Sequence, residues 1–182
     1  RIGGSKYDCV NVKDQLNGEA PEEAMSLIRN YGDDSRSEVI LDASNNIYIA
    51  ASTRSDKDFP ITPGVFQPTF GGGDQDGVIV KLSPDCKNLI FASYLGGSQT
   101  DACFVLKINP ANGDLYVAGA TSSNADFPGT KTGSIQPTYS GGICDAYISI
   151  ISSDGSTLRK TTYLGTNGFD AIYGLEFDKH GF

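Results

Sequence analysis

The chain alternates between short apolar runs and polar segments rich in Gly, Asp, Asn, Ser and Pro. Residues 78–82, 104–108 and 147–151 are such runs, built mostly from β-branched, aromatic and aliphatic side chains. Runs of this length between turn-forming residues predict β-strands, and the 3.6-residue period of an amphipathic helix is almost absent. The pattern therefore predicts an all-β protein built from antiparallel hairpins.

This apolar pattern is repeated at a fixed spacing. The segment 72–97 aligns without a gap with the segment 141–165, and a degenerate third copy opens the chain. Self-similarity at a fixed period indicates a repeat architecture. The matched residues are Asp76 with Asp145 and Tyr94 with Tyr163, 69 positions apart, and Gly4 with Gly72 and Asp8 with Asp76, 68 positions apart.

Each period contains four predicted strands, arranged as two hairpins joined by a long connection, residues 53–74 in one copy and 121–143 in the other. Most strands are apolar on both faces, so each sheet must be covered on both sides. Stacked blades of a β-propeller meet that demand, whereas a flat sandwich shows cleaner alternation. We therefore predict a β-propeller segment of four-stranded antiparallel blades, about two complete blades plus parts of two more.

The predicted boundaries place the whole chain in one propeller domain. Residues 1–32 form the closing hairpin of a preceding blade, with an inserted loop at residues 14–26. Residues 33–97 and 98–165 form complete blades, and residues 166–182 supply the first strand of a truncated blade. Because the first and last blades are incomplete, we expect unpaired strand edges there, and we expect these edges to associate with other chains.

The long connections share aromatic and proline motifs. Loops of this length are uncommon in compact domains unless their own side chains order them or they carry function. We predict that these aromatic side chains tie each loop to its own sheet. They are Phe59, Phe66 and Phe70 in the first copy, and Phe127 and Tyr139 in the second.

The motifs D-x-x-x-N-I-Y-I-A, D-F-P, G-x-F-Q-P-T and A-S-Y-L-G-G-S-x-x-D resemble the SBBP repeat of bacterial β-propellers. The resemblance covers residues 32–182 well and 1–31 weakly. It departs from the pattern at Ala51, where the sister copy has Gly119, and at Thr166, where a second Gly is usual. The family occurs in exported and cell-surface proteins, notably of Bacteroidetes-type bacteria. The resemblance implies a propeller fold and an extracellular or surface location, and it implies no catalytic residues.

Charge narrows the classes of partner. The chain has 22 acidic and 14 basic residues and a net charge of -8, with Lys and Arg scattered along its length. Phosphate binding needs a basic stripe, so nucleic acid is not a predicted partner. No apolar run reaches the length of a membrane span, so no transmembrane segment is predicted.

The cysteines and the single histidine indicate neither a zinc site nor a catalytic triad. Cys9, Cys86, Cys103 and Cys144 fall at positions that the other copies fill differently, and no Cys-x-x-Cys pair exists, so no zinc site is predicted. An even number of cysteines in an exported chain leaves one or two disulfides open, and the spacing defines no pairing. His180, in an Asp-Lys-His-Gly turn, argues against a Ser-His-Asp triad.

Aspartates recur at the same places in each copy. A residue that every copy keeps is most simply one that every sheet needs, so we predict turn and strand-cap carboxylates that accept backbone N–H groups. Paired carboxylates for glycoside cleavage stay open, although no spacing singles out a pair. The recurring residues are Asp8, Asp76 and Asp145 before a strand, and Asp101 and Asp170 after the Tyr-Leu-Gly bend.

Calcium is the best cofactor candidate that the sequence offers. Asp56 and Asp58, or Asp74 and Asp76, place hard oxygen ligands close together, but no twelve-residue loop ending in Glu is present. A carbohydrate ligand would favour exposed aromatic platforms, and the chain has no Trp. Structural turn roles are therefore the favoured interpretation, with no cofactor assigned.

The sequence favours a non-catalytic function. We predict a scaffold or protein-interaction module of an exported or cell-surface bacterial protein, which presents blade-rim loops to a protein partner or to further blades within an envelope or secretion assembly. The first alternative is a glycan- or calcium-dependent adhesin-like module. The second is a propeller enzyme whose active site lies outside this segment.

Overall fold

Two four-stranded antiparallel sheets make up the protein in the computed structural model, which describes residues 2–5 and 37–178. These residues contain no helix, and therefore none long and apolar enough to cross a membrane. The predicted all-β class is confirmed. The first sheet has the order β1 (Glu38–Leu41), β2 (Ile47–Thr53), β3 (Asp76–Leu82) and β4 (Leu89–Leu95), and the second has β5 (Asp101–Ile108), β6 (Leu115–Thr121), β7 (Asp145–Ile151) and β8 (Leu158–Leu164).

The two hairpins of each period join into one sheet through their central strands. β2 pairs with β3, and β6 pairs with β7, although a long connection separates the strands of each pair in sequence. The pairing runs from Ile47 opposite Leu82 to Thr53 opposite Asp76 in the first sheet, and from Leu115 opposite Ile151 to Thr121 opposite Asp145 in the second. Both repeats therefore adopt the same register.

Apolar side chains hold the two sheets together face to face. Tyr48 and Ile79 project from the first sheet and share a buried core with Leu115 and Tyr147 of the second, and each is at most 3% exposed. The β5 strand lies across β1, β2 and β3 of the first sheet. Burial of this apolar area supplies the main driving force for joining the sheets.

The second sheet repeats the orientation of the first. In the second repeat Tyr116 and Ile148 correspond to Tyr48 and Ile79, and they lie on the face that points away from the first sheet. Tyr116 meets the ring of Phe177 edge-on at 4.9 Å, and Ile148 packs on a cluster that includes residues 171–173. The sheets are therefore stacked head to tail, with equivalent faces pointing the same way.

Residues 171–178 take the place on the second sheet that β5 takes on the first. The Ile172 N–H donates to the Gly119 carbonyl at 3.3 Å, and Tyr173 stacks on Phe104 with ring centroids 5.2 Å apart. No strand is formed among the described residues 166–178 of the predicted further blade, whose β-bridge is the isolated one between Phe169 and Cys144. The described residues offer it no partner strand, and a strand requires a ladder of hydrogen bonds.

The outer edge of each sheet is covered by its own long connection. In the first sheet the Tyr94 N–H donates to the Gln67 carbonyl at 3.2 Å, and in the second the Tyr163 N–H donates to the Gln136 carbonyl at 3.0 Å. The edges of β4 and β8 are therefore protected, and the expectation of unpaired edges, which concerned the incomplete first and last blades, stays a prediction. Covering an edge in this way blocks strand addition from other chains.

The start of the chain occupies a different repeat position from the one the sequence alignment assigned. A Cβ built on Gly4 would lie 2.5 Å from Ser55 and 2.4 Å from Asp58, and one on Gly97 would meet the corresponding Ser123 and Asp126 at 2.7 and 2.8 Å. Gly4 thus corresponds to Gly97 and not to Gly72. Asp8 and the inserted loop at residues 14–26 lie outside the described residues, as does most of the predicted closing hairpin.

The described cysteines form no disulfide with one another. Cys103 and Cys144 are buried thiols, and Cys86 is exposed. Burial raises the pKa of Cys144 to about 12, so this thiol is neutral and unreactive at ordinary pH. Cys9 lies outside the described residues.

We expect the Gly119→Ala variant to lose about 1–3 kcal/mol of unfolding free energy, because overpacking a well-filled core forces the backbone to shift. A Cβ at Gly119 would lie 2.0 Å from the Ala102 carbonyl oxygen, which belongs to the paired strand and has little freedom to move. Urea unfolding monitored by circular dichroism measures this loss. The matched control is Ala51→Gly at the corresponding position, which should cost no more than about 1 kcal/mol. Equal stability of Gly119→Ala and the parent would contradict the close approach.

Candidate functional site

Two of the repeated aspartates close the ends of the long connections. The Gly71 N–H donates to Asp76 Oδ2 at 2.6 Å, and the Ser140 N–H donates to Asp145 Oδ2 at 2.7 Å. Asp76 begins β3 and Asp145 begins β7, so each carboxylate fixes the loop where it enters the sheet. This is the backbone-capping role that the sequence predicts for both residues.

The other two aspartates hold the bends that lead out of each sheet. The Gly97 N–H donates to Asp101 Oδ2 at 2.6 Å, and the Thr166 N–H donates to Asp170 Oδ2 at 2.7 Å. A Cβ on Gly96 would lie 2.3 Å from Asp76 Oδ1 and 2.9 Å from Asp101 Oδ2, so only glycine fits between the two carboxylates. The bend therefore brings the two types of aspartate together, a proximity that the sequence did not predict.

Burial makes these carboxylates unusual acids. Desolvation, together with the charge of Asp101, raises the pKa of Asp76 to about 8, and desolvation raises the pKa of Asp101 to about 7. Asp145 shifts in the same direction, chiefly through burial. Within the described residues, the Oδ1 atoms of all three lack a hydrogen-bond partner. Asp76 and Asp101 are fully buried, and each accepts a backbone N–H group.

The calcium candidates do not gather into one site. Asp76 is buried at the entry to β3, whereas Asp56 and Asp74 are exposed on the long connection. Hydrogen bonds from Ser5 hold the pKa of Asp58 below its usual value. Among residues 2–5 and 37–178, no three His, Cys, Asp or Glu side chains are close enough to hold a metal ion.

The same contacts anchor the long connection in both repeats. Phe59 is 7% exposed and packs on Tyr94, and Phe127 is 1% exposed and packs on Tyr147 and Tyr163. Phe70 and Tyr139 meet Tyr94 and Tyr163 edge-on, whereas Phe66 packs into the core between the sheets. The Tyr94 hydroxyl donates to the Ser55 carbonyl at 2.7 Å, and the Tyr163 hydroxyl donates to that of Ser123 at 3.1 Å. Both loops are therefore anchored to their sheets at equivalent points.

The second connection carries an open surface depression, with a volume of about 720 Å³, that we call the rim depression. Its lining includes Asn124, Lys131, Thr138, Tyr139 and Ser140, beside Tyr163 and two glycines. The combination of a half-buried tyrosine ring, a cation and several polar groups suits a polar ligand with an apolar part.

Lys131 is the residue of the rim depression that sequence reasoning missed. Its Nζ donates to the Phe127 carbonyl and, at 3.1 Å, to that of Gly129, and it lies 5.5 Å from the centre of the Tyr163 ring. Burial lowers the pKa of Lys131. The available signal was a difference in length between otherwise matching copies: seven residues separate Pro128 from Gln136, whereas six separate Pro60 from Gln67, and Lys131 lies in the longer segment.

The chain matches no known family model and no curated protein. The arrangement of its own residues therefore carries the functional argument.

We expect the Asp76→Asn variant to gain stability relative to the parent as the pH rises from 5 to 8. The folded-state pKa of Asp76 is about 8 and the ordinary value is 3.8, so the folded parent holds an extra proton in this window. The unfolding free energy of the parent therefore falls as the pH rises from 5 to 8. The uncharged amide of Asp76→Asn removes this fall, which amounts to roughly 1–3 kcal/mol. Urea unfolding at pH 5, 6, 7 and 8 measures the difference.

Asp154→Asn is the matched control for this experiment. Hydrogen bonds from Ser152 and Ser156 lower the pKa of Asp154 to about 2, so its contribution is lost only as the pH falls from about 4 towards 2. Its stability difference from the parent should stay constant between pH 5 and 8. A constant difference for Asp76→Asn as well would contradict the buried-acid assignment.

Proposed function

We propose that the chain is a β-propeller segment that serves as a non-catalytic scaffold and protein-interaction module of an exported or cell-surface bacterial protein. The observation that carries this proposal is the head-to-tail stacking of two equivalent sheets, each with a long loop anchored by the same contacts but carrying different exposed residues. Such a design keeps the frame constant while the binding surface varies.

Two further features support the propeller architecture. Both faces of each sheet are apolar, and residues 171–178 begin to cover the second sheet as β5 covers the first. The motifs that resemble the SBBP repeat agree with this arrangement and support an exported location within an envelope or secretion assembly.

The rim depression is the part of the surface best suited to a protein partner. Tyr139 offers a ring face, and Asn124, Thr138 and Ser140 surround it with polar groups that suit the backbone and side chains of a peptide. The buried carboxylates contribute no chemistry here because a bound molecule cannot reach them. A binding role therefore fits the site better than catalysis.

Selection of peptides from a random displayed library tests this role. We expect peptides that bind the parent chain to lose at least about tenfold in affinity for Thr138→Arg, because a long charged side chain fills the rim depression. Thr69→Arg is the matched control, since Thr69 is the exposed counterpart of Thr138 on the first connection. Selected peptides that bind Thr138→Arg and the parent equally well would show that the rim depression is not the binding surface.

The glycan- or calcium-dependent alternative rests on the partly exposed ring of Tyr139, which resembles a small sugar platform. Under our proposal, isothermal titration of the chain with calcium chloride or with mono- and oligosaccharides gives no saturable heat. Saturable heat that Thr138→Arg abolishes would favour the adhesin-like alternative. The enzyme alternative, with its active site in other blades, predicts neither peptide nor sugar binding at this depression.

A further inference from the structure

The interface between the two sheets ends at a hairpin turn of the second sheet. The turn between β7 and β8 lies on the outer strands of the first sheet, where the Phe66 N–H donates to the Gly155 carbonyl at 3.0 Å. A Cβ on Gly155 would lie 2.7 Å from the Phe91 ring, so the turn and the ring are in direct contact. This contact seals the outer half of the interface between the sheets.

The corresponding surface of the second sheet is open. A groove with a volume of about 250 Å³ lies between Ile135, Ile148, Ile150, Lys160 and Thr162. Ile135 and Lys160 correspond to Phe66 and Phe91, which the turn covers in the first sheet, yet the Ile135 side chain is 83% exposed. We call this surface the open groove.

A copy of the turn that fills such a groove exists elsewhere on the chain. In the β3–β4 turn the Cys86 N–H donates to the Ser83 carbonyl at 2.9 Å, as the Gly155 N–H donates to that of Ser152 at 2.9 Å. The φ angles of Cys86 and Gly155 are 58° and 73°, so the two turns share a left-handed conformation. The turn at Cys86 is exposed, which leaves it free to enter a groove.

The face of the first sheet that would accompany this turn is also open. Ile47 and Ile49 of β2 are only half-buried, whereas their counterparts Leu115 and Val117 are fully buried between the sheets. Two surfaces form the contact between the first and second sheets. Counterparts of both surfaces therefore lie uncovered on opposite sides of the chain. Lys160 in place of Phe91 also suits a turn that carries an exposed carboxylate, Asp85.

We propose that a second copy of this chain docks head to tail, with its first sheet on the open groove and its Cys86 turn seated beside Lys160. Residues 171–178 of one copy, which already cover this face as β5 covers the first sheet, then lie beside β2 of the next copy. They displace its β1 strand, which has four residues against eight in β5. This docking follows from the contact between the sheets and does not depend on the proposed role of the rim depression. A heterologous contact of this kind continues into rings or filaments.

Sedimentation velocity over a hundredfold range of concentration tests the association. We expect the weight-average sedimentation coefficient of the parent to rise with concentration, and Ile135→Asp to weaken association by about tenfold or more because it places a charge in an apolar contact. The fold should tolerate this change because Ile135 is exposed. Ile143→Asp is the matched control, since Ile143 is 52% exposed and does not line the open groove. A parent that stays monomeric throughout, or equal weakening by both variants, would overturn the proposal.

Disulfide trapping tests the geometry in the intact chain. In a Cys9→Ser background, Lys160→Cys should form an intermolecular disulfide with Cys86 under mild oxidation, and the dimer should be several-fold more abundant than with Lys57→Cys. Lys57 is exposed, whereas Lys160 is half-buried, so Lys57→Cys is the more accessible thiol; it lies on the first connection, away from the open groove. Equal trapping by the two variants would show random collision and would overturn the docking arrangement.

Discussion

Apolar side chains on both faces of the strands impose the arrangement of this protein. Ile79 and Val80 are neighbours in β3 and point to opposite faces, yet both are at most 1% exposed. A sheet of this kind cannot leave either face in water without losing a large part of its stability. The first sheet therefore receives the second sheet on one face, and its own long connection covers β3 and β4 on the other. Head-to-tail stacking follows because equivalent faces carry equivalent side chains.

Polar groups at the bends and loops are satisfied by a small set of repeated side chains. The aspartates at the start of β3, β5 and β7 accept backbone N–H groups at 2.6–2.7 Å. Their burial raises the pKa of each carboxyl, so these aspartates hold the backbone at the expense of their own charge. Asp76 and Asp145 thereby fix the end of each long loop, and the hydroxyls of Tyr94 and Tyr163 fix its start, so the exposed residues between are free to differ between repeats. The rim depression is the result of that freedom.

Some sequence signals were ambiguous because the same spacing occurs at two places in the repeat. Gly4 precedes Asp8 by four positions, as Gly72 precedes Asp76 and as Gly97 precedes Asp101. Only contact with Ser55 and Asp58, far along the chain, assigns Gly4 to the Gly97 position. The segment 171–178 shows the converse problem, since its strand-like composition is clear but a strand also needs a neighbour. The sequence likewise showed no sign that the loops would cover the outer edges of their own sheets.

The amino-acid sequence by itself determined the strands, the turns, the repeat and the need to cover both faces of each sheet. It also identified the anchoring residues, including Phe59, Phe127 and the recurring aspartates, because local alternation and turn chemistry act between near neighbours in the chain. The tertiary structure alone decided which faces meet, that Asp76 and Asp101 approach one another, and that Lys131 and Tyr139 share a depression. Those outcomes depend on distances between residues that are remote in sequence, and a linear pattern contains no record of such distances.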